Sequence, residues 1–317
     1  MWLDDKVDLG KNIKSIKNDD NCTTYIMTEK SGKGSMKAYN VFPGIVIMYN
    51  NFNMSECHSS LNTDSDIFCI EHCKRGRIEW EFKDEQYMYL GAGDFQVNKH
   101  DYNIESFQFP LHTYSGITIS CYLDEASNSI NKLLDGFSID LRNLKNKFCQ
   151  DENLFIMRAD KSIEHIFSEL YTVPESIRDN YFKIKVLELL LFLDALEIPK
   201  NKDEKHYLYR NQVEKVKKIK EFITSNLDKH FTINELSEKF SMSLTSMKTC
   251  FKIVYGMSIY SYIRSYKMNI AAKMISDGKE NISIISGKMG YDNSSKFAAA
   301  FKLIIGKSPQ EYRKSFV

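Results

Sequence analysis

The spacing of apolar side chains divides the chain into a stretch of period two and later stretches of period near 3.6. Between Val41 and Leu123 the segments GIVIMYN, IFCIEHC, RIEWEF, QYMYL and GITISCYL are short and rich in β-branched and aromatic residues. They predict strands, with turn chemistry at Lys83-Asp84-Glu85 and Gly91-Ala92-Gly93-Asp94. In RIEWEF, Ile78, Trp80 and Phe82 alternate with Arg77, Glu79 and Glu81, which sets large apolar groups on one face and charges on the other. The region predicts an antiparallel sheet or barrel. Past Asp124 the period lengthens, and helices are expected from Ser162 to Val173 and from Glu175 to Leu196, the second entered from Pro174 and closed by Pro199. There Ile177, Tyr181, Ile184, Leu187, Leu190 and Leu191 form an apolar stripe, and Leu187 to Leu193 is apolar on nearly every side. Packing within the chain and a dimer seam both remain open.

The segment EIPKNKDEKHYLYRN has no period and many charges, as a linker does. The expected organisation is a domain over residues 1–197, a linker over 198–211 and a second domain over 212–317. The last part reads as helical throughout, and one frame occurs in it twice: FKIVYGMSIYSY from Phe251 to Tyr262 and FKLIIGKSPQEY from Phe301 to Tyr312. Phe, Lys, Gly, Ser and Tyr recur in the same places. Before each frame lies a short helix and a break, at Ser241-Met242 in the first copy and Gly290 in the second. A longer helix follows, capped by Ser243 in the first copy and by Asn293 or Ser294 in the second, and ended by Gly256 or Gly306. Each copy is therefore helix, turn, helix. The spacer from Ser258 to Ile275 is a helix of about 27 Å, and two such motifs reading one face of a duplex must lie about 34 Å apart. A helical solenoid is the competing architecture, but it would show more than two copies.

Charge sharpens this picture. The net charge of the chain is +1, yet Gln212 to Val317 holds 18 Lys and Arg against 9 Asp and Glu, while the rest holds 25 against 33. A basic module joined to an acidic body points to a polyanion partner for the module. The 7 cysteines are an odd, scattered set that does not form a disulfide framework. No run of eighteen apolar residues and no basic-then-apolar leader is present, so a cytoplasmic protein with no membrane partner is expected.

The second copy runs Ile285, Ser286, Gly290, Tyr291, Phe297, Phe301-Lys302, Gly306, Ser308-Pro309 and Tyr312-Arg313, and on these residues the chain resembles the AraC/XylS family of bacterial transcription regulators over Val213 to Lys314. Small departures are Ser237 and Ser286, where the family usually has Ala. Lys267 stands where the family usually has Arg, and an ammonium cannot give the forked hydrogen bonds of a guanidinium. The resemblance implies that bases are read from Thr245, Lys248 and Thr249 in the first motif and from Ser295, Ala298 and Ala299 in the second. Helical spacing agrees independently: Met247, Phe251 and Val254, and likewise Phe297, Phe301 and Ile304, face inward and leave those positions outward, together with Lys252 and Lys302. Lys248 can donate to guanine and Thr249 offers a hydroxyl or a methyl, whereas two alanines offer only methyls. The first motif is thus expected to discriminate sequence, and the second to hold the backbone through Lys296 and Lys302.

For the acidic half the resemblance implies a cupin-like barrel that binds a small effector, dimerises, or does both. The implied fold class is α+β, a cupin-like antiparallel barrel with helices followed by an all-α domain with two helix-turn-helix motifs. Trp80, Phe82, Tyr89 and Phe95 are candidate pocket residues, with His72 and His100 as polar groups; ordinary barrel packing is the alternative for each aromatic. Enzymatic cupins hold a metal through histidines and a carboxylate. Here Cys57 and His58 point to opposite faces of a strand, and His72 points away from Cys69, Glu71 and Cys73, so no metal, cofactor or catalytic residue is expected. The leading reading is a transcription regulator, a homodimer, with double-stranded DNA and an unknown small-molecule effector as partners and RNA polymerase as a further candidate. Coupling would run through the helices around Glu175 to Leu196. The alternatives are a metal-dependent cupin enzyme fused to a DNA-binding module, and a DNA-binding protein without an effector.

Overall fold

In the computed structural model, which describes residues 13–57, 66–99, 104–133, 139–149, 155–158, 161–198 and 207–316, strand structure is already present at Ile13, well before Val41. The early strands are β1 (Ile13–Lys17), β2 (Cys22–Glu29) and β3 (Gly32–Phe42). They carry few aliphatic side chains, and it is Tyr25, Met27, Met36 and Ala38 that are buried between Thr, Ser and Lys neighbours. The later strands are β4 (Ile45–Asn53), β5 (Glu56–Cys57), β6 (Ile67–Phe82), β7 (Gln86–Gly91), β8 (Phe95–Asn98), β9 (Ile104–Gln108), β10 (Tyr114–Tyr122) and β11 (Phe155–Met157). Their order is β1-β2-β3-β4-β10-β6-β7, with β8 and β9 also on β6, β11 on β8 and β5 on β9. These pairs are antiparallel.

The chain divides into two compact units between Tyr207 and Leu208. In the N-terminal unit one face of the sheet is covered by helices α1 (Leu123–Leu133), α2 (Leu141–Phe148), α3 (Lys161–Leu170) and α4 (Arg178–Ala195). Phe68, Ile70, Ile117 and Ile119 meet Ile166, Phe167, Val186 and Leu189 there. On the other face Tyr25 and Met27 of β2 share a cluster with Trp80 and Phe82 of β6 and Leu90 of β7. The Cys57 thiol of β5, a strand joined through β9 to β6, lies 3.3 Å from the Met27 sulfur of β2. A contact between the two ends of the strand order requires the sheet to curl, so the architecture is a half-barrel with helices on its outer face. Among the described residues no helix is long and apolar enough to cross a membrane.

Two expectations need correction. Glu79 of RIEWEF is buried with its apolar neighbours, so the charged face of that strand is not open to water. In α4, which follows a short 3-10 turn at Glu175–Ile177, the buried residues include Phe182, Val186, Leu189, Leu190 and Leu193. Of the expected stripe, Ile177, Ile184 and Leu191 are instead exposed, Ile184 to 62%. A helix that is apolar all round gives no rotational signal from its sequence. Its rotation is fixed by packing and by Lys185, whose buried ammonium reaches Glu169 of α3 at 2.5 Å and also pairs with Glu188. The Tyr181 hydroxyl donates to the same Glu169 at 2.8 Å.

The C-terminal unit contains α5 (Arg210–Thr224), α6 (Ile233–Lys239), α7 (Leu244–Tyr255), α8 (Ile259–Ser276), α9 (Ile282–Lys288), α10 (Ser294–Ile305) and α11 (Pro309–Lys314). Along α8 the first turns bury Ile259 and Tyr262, and the later ones give Met268, Ala271, Ala272 and Ile275 to a cluster with Ile285, Phe297 and Phe301. The spacer helix is thus a shared wall for both copies of the repeat.

Candidate nucleic-acid interface

The repeated frame is a helix terminator with a built-in start for the next helix. Phe251 and Phe301 are fully buried. Gly256 and Gly306 sit in the left-handed region at φ 74 and 85, each donating its N–H to the carbonyl of Lys252 or Lys302 at 2.8 and 2.9 Å, a conformation that favours glycine. Two residues on, Ser258 and Ser308 are N-caps that accept from Ser261 N at 3.2 Å and Glu311 N at 3.3 Å. The closing tyrosines fold back: Tyr262 meets Phe251, and Tyr312 meets Phe301, edge to face with centroids 5.6 Å apart in both copies. All five repeated residue types therefore have a place, and the roles of Ser and Tyr are additions to what the spacing predicts.

The first helices of the two copies are offset by forty-nine residues rather than fifty, because the second turn is one residue longer. The Ser237 and Ser286 hydroxyls donate to the carbonyls of Met242 and Tyr291 at 2.6 and 3.3 Å, so each serine holds its own turn. The left-handed turn residue is Ser241 at φ 47 in one copy and Gly290 at φ 74 in the other. Gly290 admits nothing larger: a Cβ there would lie 2.7 Å from the Asp228 carbonyl oxygen. Gly290→Ala is therefore expected to destabilise the C-terminal unit by about 1–3 kcal/mol, read from urea unfolding of the full chain.

The second helix of each copy is capped as its sequence predicts. Ser243 accepts from Ser246 N at 3.3 Å, and Asn293 rather than Ser294 accepts from Ser295 N at 2.8 Å and Lys296 N at 3.0 Å. On α7, Met247, Cys250, Phe251 and Val254 are buried, while Thr245, Lys248, Thr249 and Lys252 are exposed. On α10, Phe297 and Phe301 are buried, Ser295, Lys296, Ala299 and Lys302 are exposed, and Ala298 and Ile304 are half-buried. No ion pair to Lys248, Lys252, Lys296 or Lys302 occurs among the described residues, which leaves four ammonium groups for an external anion. One turn beyond Ala299, Leu303 is also exposed; its place four residues on was the available signal. Arg313 closes the second copy, donating to the Glu280 carbonyl at 2.5 Å.

Residues 236–315 match the family described as helix-turn-helix domain. The C-terminal unit is an AraC-type helix-turn-helix domain. The chain is 31% identical over 93 residues to the melibiose operon regulatory protein of Escherichia coli, which covers 29% of this chain and 31% of that one. It is 28% identical over 156 residues to the Msm operon regulatory protein of Streptococcus mutans, covering 47% of this chain and 55% of the relative. The matches thus span from a third to little more than half of these curated relatives. Among solved structures, the C-terminal domain of AraT, a response regulator from Geobacillus stearothermophilus, is similar at 24% identity and TM-score 0.31, over 32% of this chain and 84% of that one. The AraC-type signature residues Gly290, Phe297, Phe301, Gly306, Ser308 and Arg313 are those given structural roles above.

The candidate effector residues do not share one wall. His72 and Phe95 are register partners on the helix-covered face, where the His72 ring stacks on Phe167 at 4.1 Å. Trp80 and Phe82 lie in the cluster of the opposite face. Tyr89 pairs with Glu79 and so points away from Trp80. His100 lies outside the described residues, as does His58. The physical reason is a kink: Gly76 at φ 86 and a register shift opposite Ser115/Gly116 invert the alternation within β6, so Cys73 and Trp80 share a cluster despite odd and even positions. His72 Nδ1 is 3.0 Å from the Tyr171 hydroxyl, and Nε2 has no hydrogen-bond partner. Burial holds the imidazole down at a pKa of about 4, against a small opposing effect of Asp94. Among the described residues no group of three His, Cys, Asp or Glu side chains converges as a metal site would require.

Proposed function

We propose that this protein is a sequence-specific transcription regulator that lays α7 and α10 into successive major grooves of one duplex and responds to a small effector as a homodimer. The observation that carries this reading is the pair of matching exposed faces, each built by the same frame, with four unpaired lysines beside them. Lys248 and Thr249 supply donor, hydroxyl and methyl to base edges; Lys252, Lys296 and Lys302 meet phosphates. The exposed face of α10, with Ala299 and Leu303, suits thymine methyls at most. Lys248→Ala is expected to lose about 1–3 kcal/mol of discrimination at its base pair, whereas Lys302→Ala weakens all sequences alike and lowers the salt slope by about one. Binding selection with randomised duplexes distinguishes the two; unchanged base preference in Lys248→Ala contradicts the assignment.

The homodimer reading is supported by α4. Ile184 and Leu191 of α4, and Ile177 in the turn that leads into it, are exposed at intervals of seven residues, the spacing that keeps a seam on one side of paired helices. Ile184→Glu with Leu191→Glu is expected to give a monomer by analytical ultracentrifugation with the helix content unchanged.

For the effector, a polar strip on the inner face of the half-barrel supports a hydroxyl-bearing molecule. Asn50 Nδ2 donates to Thr118 at 2.8 Å and Gln96 Nε2 donates to Glu71. The Asn50 Oδ1 and Gln96 Oε1 acceptors are buried without partners, and such acceptors call for external donors. A thermal-shift series of polyols against wild type and Gln96→Leu tests it.

A further inference from the structure

One cavity in the C-terminal unit has no part in the duplex-reading faces. It measures about 300 Å³ and is lined by Tyr260, Ile263, Arg264 and Lys267 of α8, by His230 from the loop before α6 and by Tyr291 from the turn before α10. All of these belong to one unit. The volume stands at the lower end of those that hold small molecules.

The lining charge is positive and incompletely matched. Lys267 is 3% exposed, although its ammonium carries three donors. Its one hydrogen bond is to the Lys229 carbonyl, long at 3.5 Å. Neither Lys267 nor Arg264 is in an ion pair among the described residues. Desolvation holds the Lys267 ammonium below its ordinary pKa, opposed only by the field of Asp228. His230 Nε2 is committed to the Gly290 carbonyl at 2.6 Å, which pins the loop to the second turn. A cation buried without an anion is costly, and here the missing anion has a cavity beside it with a second cation and two tyrosine rings in its wall.

We propose that this cleft is a binding site for a small oxyanion, a carboxylate or phosphate group, held by Lys267 and Arg264 with His230 at the rim. The ligand would bridge α8 to the loop and turn that position the second motif. It stabilises the C-terminal unit and restrains the spacing of α7 and α10. The site is separate from the effector assigned to the N-terminal unit, and its occupancy does not depend on that assignment.

The test is thermal unfolding of the full chain in inorganic phosphate, and separately in acetate, against chloride at equal ionic strength. At concentrations several times Kd, the unfolding temperature of the C-terminal unit is expected to rise by about 4 °C. In Lys267→Met the rise is lost, while the variant without added anion unfolds at or above the wild-type temperature because a lone buried charge is gone. Arg264→Gln, an exposed change, halves the shift or more without altering the baseline. An equal rise in wild type and Lys267→Met, or no rise with either anion, overturns the proposal. A third arm distinguishes the source of the phosphate: if saturating duplex DNA abolishes the shift and Lys267→Met weakens binding to all duplexes, the cleft is a DNA-backbone contact and the free-ligand site is overturned.

Discussion

Phe301→Ala is expected to destabilise the C-terminal unit by about 3–5 kcal/mol, and Phe251→Ala by a closely similar amount. Each ring is fully buried and carries an edge-to-face contact from a tyrosine eleven residues on. Alanine removes the apolar area, leaves a void between the second helix of its motif and α8, and deprives the tyrosine of its partner. The equality is the informative part. If the frame recurs because it performs one mechanical task, the two deletions should cost alike, and operator affinity should fall in both although neither phenylalanine can touch DNA. Urea unfolding with hydrogen exchange at α7 and α10 measures the costs separately. A loss confined to one copy would mean that the other phenylalanine is dispensable to its helix.

Acid is expected to weaken the N-terminal unit through His72. The imidazole is held down at a pKa of about 4, below the ordinary histidine value of about 6.5, so the unfolded chain binds the extra proton first. Stability is therefore full above pH 6.5, declines as pH falls through the window between 6.5 and 4, and has lost about 3 kcal/mol at its lower end. The cause is burial: the imidazolium carries an N–H on both ring nitrogens, no acceptor stands at Nε2, and the ring is pressed on Phe167. His72→Phe retains a stacking ring and removes the proton, so the difference between the two pH profiles isolates this group from the carboxylates that titrate lower. Parallel profiles across that window would show that His72 is not the group responsible.

Legibility in the sequence followed how local each constraint was. Ser243, Gly256 and Gly306 could be named as caps because a cap is set by a few consecutive residues, and the outward faces of α7 and α10 followed from the positions of Met247, Phe251 and Phe301. The early strands were not legible: Tyr25 and Met27 are buried in a cluster assembled from strands distant in sequence, and Met27 meets Cys57 of β5 only because the sheet curls. The rotation of α4 was hidden because Ile184 and Leu190 are equally apolar, and packing on the sheet together with the Lys185 ion pairs decides which is covered. The effector residues were misgrouped because one glycine, Gly76, inverts which side chains of β6 face inward. Lys267 was legible as a departure from the resembled family, yet the absence of an ion pair around it could be seen only in three dimensions.

The central claim is that two copies of one frame, joined by α8, engage one face of a single duplex. Hydroxyl-radical footprinting of the full chain on promoter DNA tests it most directly. The account predicts, for each protomer, two protected windows on the same face about 10.5 base pairs apart, both lost as salt is raised. Protection of a single window, or binding indifferent to salt, contradicts it.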